Sequence, residues 1–187
     1  IDDVLLELAH HHAGREPGLA LWTLGGGLDA RWARLAADTR EAVVAWHEVE
    51  EPDVLEEKTE LLRQSPYSAM WSRVRQVPLE LEHWTVQPGQ ARPVVILEGL
   101  LERVGQRGLL SVMQRVHECC PRALVLLDLS ALPFGFATRW SSRALGERGW
   151  KVLWDRRIGA RRRLLTLQGT EICPGMLPVR VLALEGL

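Results

Sequence analysis

The chain has 187 residues, 47% of them hydrophobic and 25% charged, and its 23 basic and 24 acidic side chains leave a formal net charge of −1. That length can bury a sizeable core, and the proportions argue against a disordered, collagen-like or disulfide-stapled chain. Near-neutral charge speaks against a general nucleic-acid binder, and the absence of a long apolar run speaks against a membrane span.

Cys119, Cys120 and Cys173 form no C-x-x-C pair, so a structural zinc site or disulfide framework is not expected and a reducing, cytoplasmic setting is. The first residues, Ile1 followed by two acids, do not resemble a secretory leader. Without an initiator Met, further sequence upstream is left open. Eight Trp stand against one Tyr, and most of them fall on the predicted strands and helices.

Val4, Leu5, Leu6 and Leu8 predict a short first helix that runs into His10-His11-His12. Adjacent histidines point apart on a helix, so a solvated or capping stretch is expected there rather than a metal site. Leu19 to Leu24 has the length and continuity of a buried strand. Gly25-Gly26-Gly27 follows at once, and Leu28, Trp32, Leu35 and Ala36 then mark a helix face. Ala42 to Trp46, extending towards Val49, predicts a second strand ending in Glu48, Glu50 and Glu51. Pro52 opens a helix with Val54, Leu55, Leu61 and Leu62 as its apolar positions.

Pro66 to Gln76 gives no clear pattern, although Trp71 and Val74 are expected to pack. Alternation over Leu79 to Trp84 predicts a third strand, and Pro93 to Leu97 a fourth. A helix with Leu109, Leu110, Met113 and Val116 follows, closed by Pro121. Leu124 to Leu127 is a fifth strand ending in Asp128. A helix over Trp140 to Leu145 precedes three candidate strands at Trp150–Trp154, Arg163–Leu167 and Val179–Leu184. The run Arg156, Arg157, Arg161, Arg162 and Arg163 fits a solvated turn between two of these about as well as an anion site. Apolar strands alternating with amphipathic helices predict an α/β fold, with a mainly parallel sheet covered on both faces and an antiparallel C-terminal edge. A single domain is expected, with residues 1–18 as lead-in, 19–130 as cofactor-binding core and 131–187 as edge strands.

Open α/β sheets bind ligands beyond the carboxyl ends of their strands. At those ends the sequence places Gly25, Gly26 and Gly27, then Glu48 and Glu50, Glu82, Glu98 and Asp128. Bare glycines let a ligand approach the backbone closely, and a carboxylate after the second strand suits ribose hydroxyls. The acid-rich mouth suits a pyrophosphate poorly. Position 30 of the G-x-G-x-x-G pattern is Ala, and no G-x-x-x-x-G-K-[ST] occurs. A nicotinamide-dependent oxidoreductase is therefore disfavoured, and a nucleoside triphosphatase more so. Asp29 is equally readable as an acid at the start of the following helix.

Leu24-Gly25-Gly26-Gly27-Leu28-Asp29-Ala30-Arg31, with Arg34-Leu35 behind it, resembles the LGaGlDTR…RL signature of the leucine carboxyl methyltransferase superfamily, which includes tetracenomycin-type polyketide O-methyltransferases. Glu48-Val49-Glu50-Glu51-Pro52-Asp53-Val54 with Lys58 is similar to its EVDxPxV…K, and Glu98-Gly99-Leu100-Leu101 to its EGvL. The resemblance covers roughly residues 19 to 130. It implies a Rossmann-like class I methyltransferase fold that uses S-adenosylmethionine to methylate a carboxylate or hydroxyl oxygen of a small molecule or an exposed carboxylate. It further implies that the glycine loop lies against the cofactor, Glu50 takes the ribose, Glu82 lies near adenine, and Glu98 lies near the methionyl part. Arg31 could pair with a carboxylate of cofactor or substrate.

The sequence departs from that pattern at three points. Glu50 stands where the family has Asp, Glu102 and Arg103 replace an apolar residue and a Tyr, and only residues 1–18 precede the first strand. A homo-oligomer or protein partner that completes the cleft, or a non-catalytic scaffold of the same fold, follows as an alternative. No catalytic residue is assigned. A carboxylate acceptor needs no base, and a phenolic one would nominate His83. His117 is expected on a helix surface.

Overall fold

A computed structural model describes residues 1–15, 17–39, 41–78, 91–121, 123–128, 142–158 and 179–186. Strands β1 (Leu19–Leu24), β2 (Val43–Glu50), β3 (Arg75–Pro78), β4 (Arg92–Leu97), β5 (Leu124–Asp128), β6 (Trp150–Ile158) and β7 (Val179–Gly186) form one sheet in the order β3-β2-β1-β4-β5-β7-β6. The first five are parallel, and β7 runs antiparallel to both β5 and β6. The mainly parallel sheet and its antiparallel edge are thus as expected.

Helices cover both faces. On one, α1 (Asp2–His12) and α2 (Arg31–Thr39) bury Val4, Leu5, Ala9 and Leu35 against Leu19, Leu21, Val94, Ile96 and Leu126. On the other, α5 (Leu100–Cys119) and α6 (Ser142–Gly146) bury Leu109, Met113, Val116 and Leu145 against Trp22, Leu24, Val95, Leu97 and Val125. Odd and even positions of one strand separate onto the two faces, as a pleat of period two requires. A third cluster lies between α2, α3 (Pro52–Arg63) and α4 (Ser68–Trp71), where Trp32, Leu55, Trp71 and Val74 meet.

Several boundaries differ from the sequence reading. Strand β3 lies at Arg75–Pro78, within and just after the stretch without a clear pattern, because four residues are too few to show alternation. The predicted strand at 79–84 lies outside the described residues, as do the strand at 163–167, Trp140 and Cys173. Helix α2 starts at Arg31, so Leu28 precedes it and is exposed rather than packed. Asp29 accordingly does not cap that helix. In α3 Leu61 faces solvent, and its expected burial falls to Lys58 beside Leu55. His117 is half-buried, with its ring 5.4 Å from that of Trp150, and is not a surface residue.

Candidate functional site

Strand β1 connects outward to β2 on one side while β4 lies on the other, so the chain reverses direction across the sheet between β1 and β4. Ligands of open α/β sheets bind at such a reversal, beyond the carboxyl ends. There the structure has a cavity of about 690 Å³, within the range that holds a nucleoside-sized ligand. Thr23, Gly25, Gly26, Gly27, Asp29 and Arg31 line one side of it, and Glu98, Gly99, Glu102 and Arg103 the other. Of the residues expected at a cofactor, Glu82 lies outside the described residues together with His83 and Trp84; Glu50 lies close behind the cavity wall.

The glycine loop is shaped by its own backbone. Gly25 and Gly27 have φ of 67° and 55°, a region that side chains enter only at a cost. Gly25 N–H donates to the carbonyl of Val49 at 2.9 Å, which ties the loop to the end of β2. The Gly27 N–H donates to Glu50 Oε2 at 2.8 Å.

Glu50 is fully buried, and a carboxylate so placed must have its lone pairs filled. Besides Gly27, the Glu51 N–H donates to Oε1 at 3.0 Å, and Arg103 Nη1 lies 2.9 Å from both oxygens. The same guanidinium donates to the Gly25 carbonyl at 3.2 Å and, through Nη2, to Glu51 at 3.2 Å. Arg103 was visible in the sequence only as a departure from the family pattern. Its partner lies 53 positions away, too far for any local spacing rule to join them.

Arg31 is buried at the start of α2, paired with Glu98, with Asp2 at 2.5 Å and with Asp29 at 3.3 Å. Exposed Arg34 joins the group through Asp2 at 3.0 Å and Asp29 at 2.9 Å. Burial would raise the Asp2 carboxyl, but hydrogen bonds and charges from Arg31 and Arg34 outweigh it and hold the pKa below the ordinary value. Burial works against the charge on Arg31, and Asp2, Glu98 and Asp29 more than restore it. The structure therefore brings Asp29, Arg31 and Glu98 together. It adds Asp2 from α1, for which the sequence offers no signal.

Beneath the loop, Lys58 of α3 is buried, with Nζ 2.7 Å from Glu48 Oε2 and 2.5 Å from the Asp29 carbonyl. Its ammonium also lies 5.2 Å from the centre of the Trp71 ring. Burial raises the Glu48 pKa, and the nearby Lys58 charge only partly opposes this. Lys58 thus ties the backbone just past the glycine loop to the end of the second strand, without lining the cavity. Among the described residues no three His, Cys, Asp or Glu side chains are grouped to hold a metal ion, and no helix is long and apolar enough to cross a membrane.

Comparison with known proteins agrees with this architecture. Residues 1–90 match the family described as leucine carboxyl methyltransferase. That stretch holds the glycine loop and the Glu48–Lys58 block; it starts earlier than the expected resemblance and stops before Glu98. No curated protein matches the sequence. Among solved structures, LepI in complex with SAM is similar at 15% identity over 97% of this chain and 46% of its own, with a TM-score of 0.64. The mitomycin 7-O-methyltransferase MmcR is 18% identical over 100% of this chain and 54% of its own, with a TM-score of 0.57. The glycopeptide N-methyltransferase MtfA is 14% identical over 98% and 95%, with a TM-score of 0.62. The chain spans about half the length of LepI and MmcR. It has the class I methyltransferase fold, and its first 90 residues are similar to the leucine carboxyl methyltransferase family.

Proposed function

We propose that this chain binds S-adenosylmethionine in the cavity between β1 and β4 and belongs to an enzyme that methylates a carboxylate or hydroxyl oxygen. The observation that carries this reading is Glu50: a buried carboxylate at the end of β2, oriented by the Gly27 N–H of a side-chain-free loop. A carboxylate in that place can accept both hydroxyls of a ribose. Gly25 to Gly27 would lie along the nucleoside, and the family resemblance would put Glu98 by the methionyl part. Arg31, held beside Glu98, supplies a cation for the neighbouring carboxylate. The fit is one of chemistry and size: bare loop, acid floor, and a cavity of about 690 Å³.

The cofactor would supply an electrophilic methyl on a sulfonium, and the chain has to hold it in line with the acceptor and away from water. An ionised carboxylate acceptor needs no base for this. The O-methyltransferase reading draws on the family match and on MmcR; MtfA, a glycopeptide N-methyltransferase, has the same fold, so the fold alone does not choose the acceptor atom. A small molecule or an exposed carboxylate is the acceptor proposed. A cytoplasmic setting and a homo-oligomeric or partner-completed cleft belong to the same reading. A second, non-catalytic reading draws on Arg103, which pairs with Glu50 where a ribose would bind.

Isothermal titration with S-adenosylmethionine, S-adenosylhomocysteine and NAD tests these readings. Saturable binding of the first two and not of NAD is expected. Glu50→Ala should weaken it by tenfold or more, corresponding to the loss of charge-assisted hydrogen bonds. Unchanged affinity in that variant would remove the ribose assignment, and no binding at all would favour the scaffold.

A further inference from the structure

Resting on the cofactor reading above, we infer that Arg103 is an internal competitor for the cofactor's ribose, a latch that must leave Glu50 before the hydroxyls can reach it. Three observations converge on this. Arg103 Nη1 sits 2.9 Å from both oxygens of Glu50, so a single guanidinium occupies the two acceptors a vicinal diol needs. Arg103 lines the cavity while Glu50, fully buried, does not. The same group holds the Gly25 carbonyl, so the latch also closes across the glycine loop.

Arg103 rides on a short turn set off from the rest of its helix. Gly99 and Gly105 have φ of 67° and 65° and bracket Leu100–Val104, a single helical turn set off from the rest of α5 by the non-helical Gly105. A Cβ at either glycine would meet nothing within 4 Å, so neither position is packed against a neighbour. Leu100 and Leu101 are buried and anchor the turn. The long Arg103 side chain, 34% exposed, has room to swing into solvent and towards exposed Glu51, to which it is already bonded at 3.2 Å.

Each bond that Arg103 makes to Glu50 has to be given up before a hydroxyl can take its place, and this lowers the apparent affinity for any ligand that uses the carboxylate. A ligand without the diol would have no reason to open the latch. The competition therefore has a signature distinct from simple obstruction: removing Arg103 helps only ligands that carry ribose hydroxyls.

The test compares S-adenosylhomocysteine with its 2′,3′-dideoxy analogue by titration against the wild type, Arg103→Ala and Arg103→Gln. The expected result is a gain of about tenfold or more for S-adenosylhomocysteine in R103A. R103Q, which keeps a neutral donor, should gain less, and the dideoxy analogue should bind all three alike. Equal or weaker binding of S-adenosylhomocysteine by R103A overturns the latch and leaves the cofactor reading intact. An equal gain for both ligands also overturns it, because Arg103 would then only fill space. If no form binds S-adenosylhomocysteine, the cofactor reading falls and the latch with it. Should R103A fail to fold, as circular dichroism would show, R103Q decides by the same comparison.

Discussion

Buried ionisable groups set how single residues shape this protein. Lys58 and Glu48 form an ion pair with almost no access to water, and removing one member of such a pair leaves an uncompensated charge. Lys58→Met is expected to lower unfolding stability by about 3–5 kcal/mol, whereas Lys58→Met with Glu48→Gln should recover much of the loss. Chemical denaturation of the single and double variants measures both. His47 is buried and stacked flat on Trp22, ring centres 3.8 Å apart. Burial, helped by the Arg75 charge, lowers its pKa to about 4.

A depressed histidine pKa means that the unfolded chain takes up the proton first. The stability held by neutral His47 is complete above about pH 6.5 and is lost as the pH falls towards about 4, a change on the order of 2–3 kcal/mol. Glu48 works in the opposite sense, because a raised carboxyl pKa favours the folded chain as pH falls. The difference between wild type and His47→Phe isolates the histidine. Stability curves of the two that run parallel between pH 6.5 and 4 would disprove the assignment.

At the scale of elements, the turn bracketed by Gly99 and Gly105 is the least regular part of α5. Gly105 has φ of 65° and ψ of −179°, a conformation open almost only to glycine, and a side chain there costs roughly 1–3 kcal/mol. Gly105→Ala should therefore lower the melting temperature by about 2–10 °C, measurable by circular dichroism. An unchanged melting temperature would mean that this backbone relaxes freely. The sequence offered Gly105 only as one glycine within a helical pattern, since hydrophobic spacing carries no record of φ. Strands β1, β4 and β5 were legible because continuous apolar runs of five or six residues mark a strand buried on both faces. Strand β3, with mostly exposed side chains at the sheet edge, was not.

Across the whole molecule, the sequence indicated which residues line one cavity better than it described the bonds among them. Strand ends can be read from local pattern, so Gly25–Gly27, Asp29, Arg31 and Glu98 were foreseeable as neighbours of one mouth. Partners far apart in sequence were not: Asp2 meets Arg31 across 29 positions and Arg103 meets Glu50 across 53. Asp2 also makes α1 part of the site's support, since this helix packs on the sheet while its first residue holds two arginines. Asp2→Asn should cost about 1–2 kcal/mol of stability and loosen Arg31. Its effect on S-adenosylhomocysteine affinity should exceed that of Asp3→Asn, which changes an exposed neighbour. Equal affinities in the two variants would show that α1 supports the fold alone.

The position of β7 bears on how the sheet is assembled during synthesis. Among the described residues, strand β6 reaches the sheet only through β7, which comes later in the sequence yet lies between β5 and β6. Before residues 179–186 are available, β1 to β5 can already pair, but β6 lacks the partner it has among the described residues. A chain lacking residues 179–186 would leave β5 without its β7 partner, the kind of open edge that templates aggregation.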